Sequence, residues 1–170
     1  MDCFIEALYG ETGTSIPKED DWFAPLIGEW DFEYKDCYLN GDTNMPQRIL
    51  KGEWIFRRVL NGIAIEDMFI CPSRENRKIN PQPDGEYGVG LRMYNREKHC
   101  YDMVYACENK LVNICFKMEE NILTGTVLSN PDNKWRFIER NKDTFSWQNI
   151  TVNELGEINI NCEVYAKRKK

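Results

Sequence analysis

Few residues in this chain of 170 are of types that do chemistry, and their placement narrows the choice further. His99 is the only histidine, which excludes every two-histidine metal site and leaves one residue for a histidine general base or an axial haem ligand. It follows the turn-like segment Asn95-Arg96-Glu97-Lys98, where an exposed and idle histidine is the plainer reading. The seven cysteines (Cys3, Cys37, Cys71, Cys100, Cys107, Cys115 and Cys162) are odd in number, scattered, and contain no CxxC pair. That opposes both a disulfide framework and a zinc site, so they read as reduced thiols that pack as small apolar residues. No nucleophile elbow, phosphate loop or paired-carboxylate motif occurs. The residues therefore predict no catalytic centre, no metal and no cofactor, and favour binding over catalysis.

Arg58 and Asp67 stand out because of where a hairpin would put them. Asn61-Gly62 favours a two-residue type I′ loop, with Leu60 and Ile63 as the flanking pair. In that register Arg58 opposes Ile65, Phe56 opposes Asp67, and Trp54 opposes Phe69. The face carrying Trp54 and Phe56 then also carries Arg58 and Asp67 as diagonal neighbours. A buried unpaired charge is costly, so the two should pair with each other, as a plain internal salt bridge, or with a polar ligand.

The elements that must position them follow from a period of two that recurs between turn signals after residue 25. In Gly28-Glu29-Trp30-Asp31-Phe32-Glu33-Tyr34-Lys35 the aromatics share one face and the charges the other, so this strand has one buried and one wet side. Asn40-Gly41 gives a turn, and a second strand runs from about residue 48 to 60. A third ends at Cys71-Pro72. The polar stretch from Ser73 to Glu86, with Pro81, Pro83 and Asp84-Gly85, reads as a long loop, either a lid over a cavity mouth or a passive connection. Seven more strands are predicted over residues 87–94, 99–107, 111–118, 122–128, 135–140, 144–152 and 157–167. In the last, Ile158, Ile160, Cys162 and Val164 alternate with Glu157, Asn159, Asn161 and Glu163. Ahead of the strands, residues 2–9 and 17–26 suit short helices that would cap one end.

About ten short antiparallel strands joined by hairpin-length turns are best satisfied by an up-and-down barrel of eight to ten strands, because closure removes exposed sheet edges. The expected organisation is all-β and a single domain over residues 1–170, with 1–25 as a helical N-terminal cap and 26–168 as barrel. Hydrophobic residues make up 42% and charged residues 29%, which suits one core in a globular chain. Lys+Arg 22 against Asp+Glu 28 gives a net charge of −6, which opposes affinity for nucleic acid. The terminal Lys167-Arg168-Lys169-Lys170 reads as a solvated tail. No apolar run approaches the ~18 residues of a membrane span, and residues 1–9 do not resemble a signal peptide, so a cytoplasmic protein with no membrane partner is expected.

Several segments carry a family resemblance. Leu26-Ile27-Gly28-Glu29-Trp30 resembles the opening of lipocalin-like (calycin) barrels. Gly52-Glu53-Trp54-Ile55-Phe56, Val59 to Asp67, Leu91-Arg92-Met93-Tyr94-Asn95, Trp135-Arg136-Phe137 and Asp143-Thr144-Phe145-Ser146-Trp147 are similar to a bacterial group of lipocalin-like proteins, a domain-of-unknown-function group. The resemblance spans about residues 22–168 and implies a calycin-type barrel with a cavity and no established reaction. Haem-binding nitrobindin-like barrels are similar only in fold, since their histidine ligand lies towards the C-terminus whereas His99 is mid-chain.

The binding reading places a small apolar or amphipathic molecule inside the barrel, against Trp30, Phe32, Tyr34, Trp54 and Phe56, with Arg58, Asp67 and Arg92 as fixed polar contacts. Tyr101, Tyr105, Arg136 and Trp147 are secondary candidates. The alternatives are a barrel whose aromatics simply fill it and whose outer surface binds a protein or forms a homodimer, and an enzyme using Asp67 or Glu66 as a base. A neighbouring arginine argues against the last, because it favours the ionised carboxylate that a raised base would need to avoid.

Overall fold

The computed structural model describes residues 2–10, 13–37, 47–80 and 85–170. Ten strands alternate inward apolar and outward polar residues: β1 (Gly28–Asp36), β2 (Ile49–Val59), β3 (Ala64–Cys71), β4 (Glu86–Asn95), β5 (Cys100–Cys107), β6 (Lys110–Glu119), β7 (Ile122–Val127), β8 (Asn133–Arg140), β9 (Thr144–Val152) and β10 (Ile158–Arg168). Each pairs antiparallel with the next, and β1 closes on β10 from Trp30↔Arg168 to Asp36↔Cys162. The result is a closed, mostly sheet, lipocalin-like barrel. Among the described residues no helix is long and apolar enough to cross a membrane. Asn40-Gly41 lies outside the described residues, as do Pro81, Pro83 and Asp84 of the long connection; the described part of that connection holds α2 (Arg74–Ile79), capped by Ser73.

The β2–β3 register is the one that the Asn-Gly reading requires: Trp54↔Phe69, Phe56↔Asp67 and Arg58↔Ile65. The turn itself differs. Four residues, Leu60 to Ile63, join the strands, with Leu60, Asn61 and Gly62 all at positive φ (52°, 58° and 81°). The N-terminal segment explains the wider loop, since Leu60 donates its N–H to Leu8 O at 2.7 Å and Thr14 Oγ1 donates to Gly62 O at 2.8 Å. Widening by one residue on each side leaves the pairing sum, and hence every facing, unchanged.

At the N-terminus α1 (Cys3–Tyr9) is capped by the Asp2 carboxylate, which accepts from Phe4 N. Residues 17–26 form two single 3₁₀ turns, Lys18–Asp20 and Ala24–Leu26, instead of a helix. Pro25 has no N–H to give to the carbonyl of Asp21, which stops a continuous helix there. These turns insert Phe23 into one end of the barrel, where its ring meets Tyr101, Phe116 and Phe137 edge-on at 5.0, 5.5 and 5.8 Å. Asp20 anchors the insertion. Its backbone carbonyl accepts from Tyr101 Oη, and its carboxylate accepts from Tyr94 Oη and contacts His99 Nδ1, bonds that hold the carboxyl below its ordinary range.

Two residues of the basic C-terminus, Arg168 and Lys169, are held at this closed end, while Lys167 and Lys170 are exposed. Arg168 donates to the carbonyls of Pro25, Ile27 and Lys142 and lies 4.1 Å over the Trp30 ring. Lys169 reaches Glu53 and Asp31 on the outer face at 3.0 and 3.2 Å. Backbone carbonyls at the barrel rim need donors, and a guanidinium supplies several from one residue.

Candidate functional site

The barrel interior has two halves. Beside the plug it is packed with rings: Trp30 on Phe145 at 4.8 Å, Phe56 on Phe137 at 6.4 Å, and Phe23 among them. Towards the other end, where β1 finishes and β2 begins, lies a cavity of about 330 Å³. At about 30 Å³ per water-sized group that is room for about eleven. Its walls are Leu50, Phe69, Met103, Trp54, Trp135 and Trp147, and its mouth carries Asp36, Arg48, Glu86 and Lys110.

The floor is an ion pair. Asp67 and Arg92 bond to each other with side chains only 1% exposed. Asp67 Oδ1 also accepts from Trp54 Nε1 at 2.6 Å, so both carboxylate oxygens are engaged. The Arg92 guanidinium lies over Phe23, Phe56 and Phe116 at 4.8, 5.5 and 5.7 Å, an arrangement in which ring faces stand in for lost water. Position 90 explains how the pair fits. A Cβ on Gly90, which pairs with Asp67, would come within 2.5 Å of Asp67 Oδ2 and of Met103 Cε. Gly88 similarly leaves space for Tyr105, whose hydroxyl donates to Glu86 at 2.9 Å.

At the mouth, Arg48 pairs with Asp36 at 2.9 Å and Lys110 with Glu86 at 3.3 Å. Tyr34 Oη donates to Asp36. A β-bulge between Ile160 and Cys162 interrupts the expected alternation of β10 and brings both Asn161 and Cys162 to the cavity. Asn161 Nδ2 donates to Asn149 Oδ1 and Thr151 Oγ1 there. Burial pushes Tyr34 and Tyr105 up, with the Asp36 and Glu86 carboxylates adding to it, and pushes Cys71 to about 12 and Cys162 to about 11. The two thiols are therefore neutral and poorly nucleophilic at neutral pH.

Of the residues singled out from sequence, Tyr34, Trp54, Asp67 and Arg92 line the cavity, joined by Tyr105 and Trp147. Trp30, Phe32, Phe56 and Arg58 are not among the lining residues. Trp30 and Phe56 belong to the packed half, and Phe32 stacks on Phe69 at 5.0 Å. Arg58 does not pair with Asp67; it reaches Asp21 of the plug at 2.6 Å, one strand-length from the cavity mouth. Tyr101 is at the plug, and Arg136 pairs with Gln148. His99 is 70% exposed in the β4–β5 turn, at the end opposite the mouth. Leu50, Met103 and Trp135 also line the cavity; no motif points to the first two, whereas Trp135-x-Phe137 repeats the spacing of Trp54-x-Phe56. One outer-face cluster was also missed: the β5–β6 pairing gathers Cys100, Asp102 and Cys115 with ligand atoms within 4.8 Å of one another.

Trp147 Nε1 and Arg92 Nε are buried and have no partner among the described residues. An unmet buried donor is destabilising by about 1–3 kcal/mol, so both call for an explanation.

No protein family and no curated protein matches the chain. Among solved structures it is similar to Rv2717c from M. tuberculosis, at 10% identity and a TM-score of 0.54 over 92% of this chain and 100% of that one. It is also similar to the S-type phycobiliprotein lyase CPES from Guillardia theta, at 10% identity and a TM-score of 0.55 over 89% and 93%. At that identity the likeness establishes the lipocalin-like barrel fold.

Proposed function

We propose that the protein binds a small apolar or amphipathic molecule in the open half of its barrel. The observation that carries this reading is the cavity of about 330 Å³, at the lower end of the range of small-molecule sites, with indole and aliphatic walls and polar groups gathered at its mouth and floor. The rings beside the plug fill one half of the barrel, and the other half leaves room for a guest. An enzyme using Asp67 as base is not supported, because Trp54 and Arg92 occupy both carboxylate oxygens. Glu66 is on the outer face, opposite Arg57 in the β2–β3 ladder. The likeness to a phycobiliprotein lyase supports only the barrel on which the cavity is built.

The test is a thermal-shift panel of metabolites and lipids on wild-type protein and on Leu50→Trp, which puts an indole into the cavity. Compounds that raise the midpoint of the wild type and not of the variant support the reading. A flat panel, with no small molecule retained by the purified protein in native mass spectrometry, overturns it.

A further inference from the structure

The outer face of the barrel gathers metal-ligating side chains that no spacing along the chain announces. Cys100 and Asp102 stand two apart on β5, so both leave the sheet on the side opposite Tyr101 and Met103. Cys115 of β6 pairs directly with Asp102 and lies diagonal to Cys100. Two thiols and a carboxylate thus converge, with one ligand atom of each within 4.8 Å of the others. Cys100 is buried, Cys115 half-buried and Asp102 exposed, so the cluster opens outward. A third strand orients the carboxylate. Asn95, paired with Cys100 at the end of β4, donates Nδ2 to Asp102 Oδ2 at 2.9 Å while its own Oδ1 accepts from Lys98 N at 3.1 Å. The other oxygen of Asp102 has no partner among the described residues.

Distance, softness and charge all suit a thiophilic divalent cation. Tetrahedral bonds of about 2.3 Å to sulfur and about 2.0 Å to oxygen put ligand atoms about 3.5–3.8 Å apart, so each pair has little more than about 1 Å to close. Two thiolates select against magnesium and calcium, which prefer oxygen. With the carboxylate they exceed a dication by one negative charge. Lys117, exposed on the same face of β6, is near enough to offset it: it draws down the Cys100 thiol, which burial and then Cys115 push up to about 11. We propose that Cys100, Asp102 and Cys115 bind a cation of the zinc class through three protein ligands, with water at the fourth, outward position. As the two sulfur–metal bonds form, the two thiol protons pass to solvent. The site is on the other side of the sheet from the cavity and stands apart from the binding reading above.

The probes are zinc and cobalt ions, added to the whole protein kept reduced. Calorimetric titration should show one zinc ion bound per chain with a Kd of about 1 μM or tighter. Cobalt should give the strong visible absorption of a tetrahedral site and a thiolate-to-cobalt charge-transfer band in the near ultraviolet. Cys115→Ser removes a thiolate and Asp102→Asn a charge. Each should weaken zinc binding by more than about tenfold, the least that loss of a merely orienting group costs, and Cys115→Ser should also diminish the charge-transfer band. Cys3→Ser, which alters an exposed thiol in α1, should change neither. In wild-type protein zinc should move the Cβ resonances of Cys100 and Cys115 and leave those of the other cysteines in place, a readout that stands even where a variant fails to fold. Zinc affinity unaltered by Cys115→Ser, a weak octahedral cobalt spectrum, Cβ shifts confined to other cysteines, or no zinc uptake would each overturn the site.

Discussion

Replacing Arg92 by methionine should be among the most damaging single changes in the interior. Methionine keeps an apolar stem among Phe23, Phe56 and Phe116 but supplies no charge, so Asp67 is left with Trp54 Nε1 as its one donor in a site only 1% exposed. Removing one partner of such a pair destabilises by about 3–5 kcal/mol. With a urea dependence of about 2 kcal/mol per molar, the unfolding midpoint should fall by about 1.5–2.5 M. Heating should give a loss of about 6–20 °C. The double variant Asp67→Asn/Arg92→Met removes both charges and leaves a buried amide N–H, whose unmet bond costs about 1–3 kcal/mol. It should therefore be more stable than Arg92→Met alone. Urea unfolding of wild type, both single variants and the double variant closes the cycle. A loss below about 1 kcal/mol for Arg92→Met, or a double variant as unstable as the two singles added together, would refute the claim that the floor is a coupled pair.

Three further outcomes are expected. Gly90→Ala should destabilise by about 1–3 kcal/mol, because its Cβ would meet an Asp67 carboxylate that two other residues hold in place; an unchanged urea midpoint would count against that packing. Glu53, on the outer face, is held down to about 2 from an ordinary 4.5, first by the Arg74 side chain, with burial opposing and Lys169 assisting. A carboxyl depressed in the folded state contributes stability above its unfolded value and loses it as pH falls through its folded one. The stability difference between wild type and Glu53→Gln should thus shrink from about pH 4.5 towards pH 2, by at most about 3 kcal/mol, and a constant difference would be contrary. Arg168→Ala removes donors from three carbonyls at the plugged end and should lower stability by about 2–3 kcal/mol while leaving affinity for a cavity guest unchanged, as calorimetry on the same sample would show.

The fold was legible because alternation and turns are local. Trp30, Phe32 and Tyr34 declare the inward face of β1 without knowledge of any partner strand, and Asn61-Gly62 yields the β2–β3 register although its loop is wider than expected. The site was only half legible. Parity says which face a residue occupies but not how far along the barrel it lies, so Arg58 and Asp67 share a face and still do not meet: Arg58 pairs with Asp21. The partner of Asp67, Arg92, depends on the β3–β4 register across a long connection that no turn motif fixes. Likewise, the division into packed and open halves depends on Phe23, carried in by two 3₁₀ turns that a periodicity argument cannot place. The β10 bulge has no mark in a strand whose residues alternate without interruption in the sequence.

The three indoles of the cavity wall have a consequence for spectroscopy. Trp54, Trp147 and Trp135 form a chain with ring centroids 5.8 and 5.7 Å apart and planes crossing at 81° in both pairs. Transition dipoles that close and that oblique mix, so the ultraviolet circular dichroism of this protein should contain an exciton couplet on top of the weak sheet signal. A guest that turns any one of the three rings would change the couplet's amplitude, which lets occupancy be followed optically without a label.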